Sequence, residues 1–223
     1  MTSQLDVVWL RKSFGARPIL DVALSLDAGD FCLILGENGA GKSTFFRCLL
    51  ELDNHDGVVE VNGKRPRRHI LGILDHPMLY PRWSAAANLR YVLNDSHADK
   101  IPVVQDLLGD LLRRPYGKMS TGQRKLVLLA TLLASDADVL LLDEFSNGLD
   151  QSTRSRFREA VHRDLKERGR TIIATGHDLY AFESLPTRVM VLRDTQLTDI
   201  TADYFSDRDL TRAYAQHVAR NSA

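Results

Sequence analysis

The chain opens on strand patterns. In Ile19–Leu26, the apolar residues Val22, Leu24 and Leu26 alternate with Ala23 and Ser25, the period-two signature of a strand with one buried face. Val58–Val61 is rich in β-branched residues and is followed by Asn62-Gly63, a turn signal. Phe31–Leu35 is apolar throughout, as in a strand covered on both faces, and runs straight into a glycine-rich loop. Residues 5–63 are therefore expected to be rich in short strands. The period then lengthens. Asn88–Leu93 and Val103–Leu112 carry apolar residues at helical spacing, and Pro102 suits the first turn of the second helix. Residues 84–135 read as mainly helical. From Val139 the pattern becomes strand (Val139–Leu142), helix (about Gln151–Arg168), strand (Thr171–Thr175) and a further short strand (Arg188–Leu192). Residues 198–223 are polar, with a short helix expected near Asp209–Arg220 and no assigned function.

Alternating strands and helices imply a parallel sheet with covered faces. The helical middle reads as a lobe inserted between the strand entering the glycine-rich loop and the strand at Val139. The length, 223 residues, suits one sizeable α/β domain or two intimately packed lobes. With 44% hydrophobic and 26% charged residues, the chain falls among folded rather than disordered proteins. Its 29 basic and 29 acidic side chains cancel, so nucleic acid is not expected as the main partner. The longest apolar runs, such as Leu126–Leu133, fall well short of the ~20 residues that span a bilayer. Met1–Asp6 lacks the basic start and apolar stretch of a secretory signal. Cys32 and Cys48 have no metal-ligand spacing around them and are expected to be reduced core thiols of a cytosolic protein.

Chemistry concentrates in three stretches. The first is Gly36-Glu37-Asn38-Gly39-Ala40-Gly41-Lys42-Ser43-Thr44, a full G-x-x-x-x-G-K-[ST] match between an expected strand and an expected helix. Glycines let the backbone wrap closely around phosphate oxygens, and the helix start presents its positive dipole end to the same anion. Lys42 would reach the β- and γ-phosphates of ATP, and Ser43 would offer a hydroxyl to Mg²⁺. The second is Val139–Leu142 followed by Asp143 and Glu144. Alone, carboxylates at a strand end read as a solvated edge. Beside a phosphate loop, Asp143 would hold the Mg²⁺ shell through water, because Mg²⁺ keeps several waters, and Glu144 would prime the attacking water. The third is Met119-Ser120-Thr121-Gly122-Gln123, where Ser120 and small residues begin a helix that can face an anion.

That third stretch resembles the LSGGQ signature of ABC ATPases, as an MSTGQ variant. The resemblance runs from about Leu5 to Leu197. It implies a P-loop NTPase fold of ABC ATPase type, with a mixed sheet core, an antiparallel β subdomain and an inserted helical lobe. The implied division is one domain over 1–223, with the core and β subdomain in 1–75 and 136–197, the helical lobe in 76–135 and a tail in 198–223. It also implies that Ser120, Thr121, Gly122 and Gln123 bind the γ-phosphate held by the loop of a partner subunit, in a homodimer or a dimer with a paralogue. Phe14 would stack on adenine, with an ordinary surface aromatic as the rival reading. Ser146–Asp150 resembles the D-loop that crosses the dimer interface, and His177 the switch histidine of catalysis. The implied activity is ATP hydrolysis with Mg²⁺, coupled to transport through membrane-spanning permease subunits, with the chain peripheral on the cytoplasmic face of the membrane.

The sequence departs from the pattern in places. Where the family carries a Gln near residue 75, this chain has Asp75-His76, and either residue occupies the metal-side position. Thr121 replaces a signature glycine, and Phe145 a usual Pro. The His76 loop with Met78-Leu79-Tyr80-Pro81 resembles ATPase subunits of the haem-exporter and multidrug type, which implies export. The competing readings are a soluble ABC ATPase outside transport, a nucleotide-sensing regulatory module and a P-loop kinase of small substrates.

Overall fold

The computed structural model describes residues 3–74, 79–176 and 179–220. Among them the chain forms two sheets. Strands β1 (Leu5–Phe14), β2 (Arg17–Leu26) and β4 (Asp56–Val61) make an antiparallel sheet in the order β2-β1-β4. The register of β1 slips between Val7 and Leu10, a bulge that twists the strand locally. The larger sheet joins β3 (Phe31–Leu35), β5 (Ile70–Ile73), β6 (Val139–Leu142), β7 (Thr171–Thr175), β8 (Arg188–Arg193) and β9 (Gln196–Asp199) in the order β5-β6-β7-β3-β8-β9. All its pairings are parallel except β8 with β9.

Alternation along the parallel strands sorts the core into two layers. Phe31, Leu33 and Leu35 of β3, with Leu140 and Leu142 of β6, face one cluster; Cys32 and Ile34, with Val139 and Leu141, face the other. The first cluster is filled by helices α2 (Ala85–Val92), α3 (Pro102–Leu108), α4 (Thr121–Ala134) and α5 (Gln151–Arg168), through Leu89, Val104, Leu126 and Phe157. It also takes Tyr204 of α6 (Thr201–Asp207) and Leu210 of α7 (Leu210–Arg220). The second is filled by Phe45 and Phe46 of α1 (Lys42–Leu49) and by Leu5, Leu10, Val22 and Val59 of the antiparallel sheet. The helical stretch between β5 and β6 therefore shares its core with the main sheet. Both cysteines are buried and free, and burial pushes the Cys48 thiol up to about 11.

Three features differ from the sequence expectation. The helix expected over Val103–Leu112 stops at Leu108, because Gly109 takes φ 48, ψ −122; a 3-10 turn then covers Gly109–Arg113. The tail contains a further helix, α6, and β9 pairs antiparallel at the sheet edge through a tight turn with Asp194 and Thr195 at positive φ. Among the described residues, no helix is long and apolar enough to cross a membrane.

Candidate functional site

The register of the large sheet decides where the chemistry gathers. Ile73 lies beside Leu142, Leu142 beside Ala174, Ile34 beside Thr175, and Leu35 beside Val191. The C-terminal ends of β5, β6, β7 and β3 thus share one edge, where open parallel sheets hold their ligands. From that edge emerge the Gly36–Thr44 loop after β3 and Asp143-Glu144 after β6.

The loop is shaped for close approach. Gly36 packs so tightly that an added Cβ would lie 2.6 Å from the Leu192 carbonyl oxygen. Gly39 takes φ 82 and Gly41 φ 106. Gly41 is the N-cap of α1 and supplies no side chain to cap it, so the first helical N–H groups are left for a ligand. The buried Lys42 ammonium donates to the carbonyls of Gly36 (2.7 Å) and Glu37 (2.9 Å), so it arches over the loop. Burial pulls Lys42 down from the ordinary lysine range, while the carboxylates of Glu144 and Asp143 oppose that shift. The three charges therefore act on one another across the sheet edge. Ser43, next in sequence, is exposed.

Asp143 is buried, and its carboxylate accepts a 2.7 Å hydrogen bond from the Thr175 hydroxyl. The same hydroxyl accepts from the Glu144 N–H at 3.0 Å. Thr175 thus fixes both carboxylate residues at once. Glu144 sits at φ 46, an unusual conformation for a residue with a side chain, and its Oε2 accepts from Asn147 at 3.1 Å. The turn that follows is clamped by Lys125 of α4, whose ammonium donates to the carbonyls of Glu144 (3.1 Å), Phe145 (2.8 Å) and Asn147 (2.7 Å). Sequence reasoning missed Lys125, since one lysine on a helix carries no local signal, and it gave Thr175 no role.

Ser120 caps α4. Its hydroxyl accepts from the Gln123 N–H, and the Gln123 side chain accepts from the Ser120 N–H, a reciprocal capping box. Arg114 also donates to Gln123, at 3.3 Å. Ser120 and Thr121 are exposed, while Gly122 is buried against Thr153 at the start of α5. Gly148 lies near Thr121, so the turn after Glu144 abuts this helix start. Phe14 is 54% exposed, and the Lys12 ammonium lies 5.0 Å from its ring centre. Of the expected site residues, Asp75, His76 and His177 lie outside the described residues.

A sequence model of the family described as ABC transporter matches residues 19–147. The aliphatic sulfonates import ATP-binding protein SsuB 1 of Paracoccus denitrificans is 33% identical over 83% of this chain and 77% of its own length. The chain belongs to the ABC transporter family. It is one of the ATP-binding subunits of that family, which are ATPases. The ABC transporter ATP-binding protein NatA of Bacillus subtilis is 31% identical, over 81% of this chain and 80% of its own. The sn-glycerol-3-phosphate import ATP-binding protein UgpC 2 of Agrobacterium fabrum is 31% identical over 85% of this chain, but the match spans only 55% of that longer protein. Among solved structures, an ATP-binding subunit of an ABC transporter superposes with a TM-score of 0.82 at 21% identity, covering 96% of this chain and 99% of its own. The cbiO1 chain from Clostridium perfringens gives 0.81 at 22% identity, over 99% and 97%. These two establish the fold as that of ABC ATPase domains.

Proposed function

We propose that this subunit hydrolyses MgATP to drive transport across a membrane through separate permease subunits, working as a dimer with a second copy or a paralogue. The observation that carries the reading is the shared sheet edge, where the Lys42 loop, Asp143 and Glu144 meet, together with the exposed capped helix start at Ser120.

Each group has a role that its surroundings support. Backbone N–H groups of Gly39–Thr44 and the Lys42 ammonium bind the phosphates of ATP. Ser43 and Asp143 fit Mg²⁺ by their chemistry: a hydroxyl and one buried carboxylate, held by Thr175, are hard oxygen donors. Bound there, Mg²⁺ would neutralise phosphate charge. Glu144, oriented by Asn147, accepts the proton of the attacking water. Ser120–Gln123 of the partner subunit bind the γ-phosphate from the other side, and Phe14 stacks on the base. The proposal also assigns His177 as the switch histidine and Asp75 or His76 as the metal-side link to the helical lobe.

The permease docks beside Tyr80, Trp83 and Tyr91. Tyr80 and Trp83 are 44% and 40% exposed and stack with centroids 4.3 Å apart, while Tyr91 meets both edge-on. Buried Asn88 anchors this surface by pairing with both backbone groups of Tyr80. Such docking places the chain on the cytoplasmic face of the membrane. Export is proposed on the resemblance of the Asp75–Pro81 loop to haem-exporter subunits; the import names of SsuB 1 and UgpC 2 favour the opposite direction.

The test is steady-state turnover of the purified subunit with and without its permease. Vanadate-sensitive MgATP hydrolysis that vanishes in Lys42→Ala and Glu144→Gln supports the reading; full turnover in Glu144→Gln contradicts it. Transport by the reconstituted complex into or out of sealed vesicles fixes the direction.

A further inference from the structure

The phosphate loop has a second neighbour that the proposed function leaves unused. Its outer side, Glu37–Ala40, borders a cavity of about 430 Å³. The opposite walls are the entry to β2, the β8–β9 turn and the tail helix α7, through Arg17, Ile19, Arg193, Tyr214 and Val218. This volume falls in the range of small-molecule sites.

Three observations tie the cavity to the nucleotide. First, it is continuous with the phosphate cradle. Ile19 lies against Gly41, where an added Cβ would come within 3.1 Å of its Cγ2, and the end of β8 lies against Gly36. Second, it is next to the proposed base-stacking residue, because Phe14 pairs with Arg17 across the β1–β2 hairpin. A nucleotide with its phosphates in the loop and its base at Phe14 has its sugar between those points. Third, the walls offer what a sugar needs. Arg193 lines the cavity; its Nη1 is buried without a hydrogen-bond partner among the described residues and its Nε lies 3.4 Å from an Asp194 carboxylate oxygen, so the side chain must turn to offer Nη1 to a ligand. The Tyr214 ring and the Val218 side chain give that space an apolar face. Burial, with Glu37 nearby, raises the Tyr214 phenol above its usual range.

We propose that α7 closes the nucleoside end of the nucleotide site, with Tyr214 packing on the sugar of bound ATP and Arg193 donating to a sugar oxygen. This rests on the reading of Gly36–Thr44 as the ATP phosphate site. It makes Tyr214 and Arg193 binding residues for the nucleoside end of the nucleotide.

The experiment compares ATP with inorganic tripolyphosphate, which has the phosphates and lacks the nucleoside, by calorimetry on the full chain. Tyr214→Ala is expected to weaken ATP about tenfold and leave tripolyphosphate affinity unchanged, and Arg193→Gln, which also removes a charge, to weaken ATP more than tripolyphosphate. Tyr214→Phe, which keeps the ring, is expected to retain most ATP affinity. Unaltered ATP affinity in Tyr214→Ala, or an equal loss for both ligands, overturns the role of α7. If the unaltered protein binds ATP and tripolyphosphate no better than Lys42→Ala does, the phosphate-site reading falls and this proposal with it. The two failures are therefore distinct.

Discussion

Glu144 combines an uncommon backbone angle with a carboxylate held by Asn147 and an N–H held by Thr175. That expenditure of strain makes sense where one oxygen must point at one water. Glu144→Gln keeps size and polarity but cannot take a proton, so turnover is expected to fall about 10²–10⁴-fold with ATP affinity retained, as read by phosphate release and nucleotide titration. Lys125 acts differently, by binding three carbonyls of the turn after β6. Lys125→Met should lower unfolding free energy by about 2 kcal/mol in urea titration and speed amide exchange over 144–148. Unchanged exchange there would remove Lys125 from the account. The motif residues were legible in the sequence because phosphate binding needs glycines and a lysine at fixed spacing. Lys125 and Thr175 were not, because their importance arises from strands and helices that meet only in three dimensions.

Among the elements, α5 and β7 are joined by a buried ion pair. Arg170 and Asp164 are 4% and 5% exposed, and the Arg170 Nε donates to Asp164 at 2.8 Å. The guanidinium also donates to the carbonyls of Leu133 and Ser135 at the end of α4. One side chain therefore ties together the ends of α4, α5 and β7. Arg170→Met leaves a buried carboxylate alone and is expected to cost about 3–5 kcal/mol by chemical denaturation; adding Asp164→Leu should recover part of it. Strands β3 and β6 and helix α5 were readable from the pattern, since each is long or fully apolar, and β7 from the apolar run Ile172–Ala174 that follows helix α5. The break at Gly109 was hidden because Leu111 and Leu112 continue the apolar spacing beyond it. Strand β9 escaped notice because it is a polar edge strand, with only Leu197 even half-buried.

For the whole molecule, the two-layer core explains how one sheet edge can serve two sets of partners. Helices α2–α5 pack on one face of the sheet and carry the Ser120 helix start, while α1 and the antiparallel sheet pack on the other. Ser120 and Thr121 remain exposed, free of the core that Gly122 and Leu126 enter. Exposure of this capped helix start, in a chain whose own phosphate loop is complete, is what a second copy is proposed to use. The most direct test is light scattering of the Glu144→Gln protein with and without MgATP. The account predicts a dimer that forms only with MgATP and disappears when Ser120→Arg is added. A monomer at all ATP concentrations, or a dimer indifferent to Ser120→Arg, would contradict it.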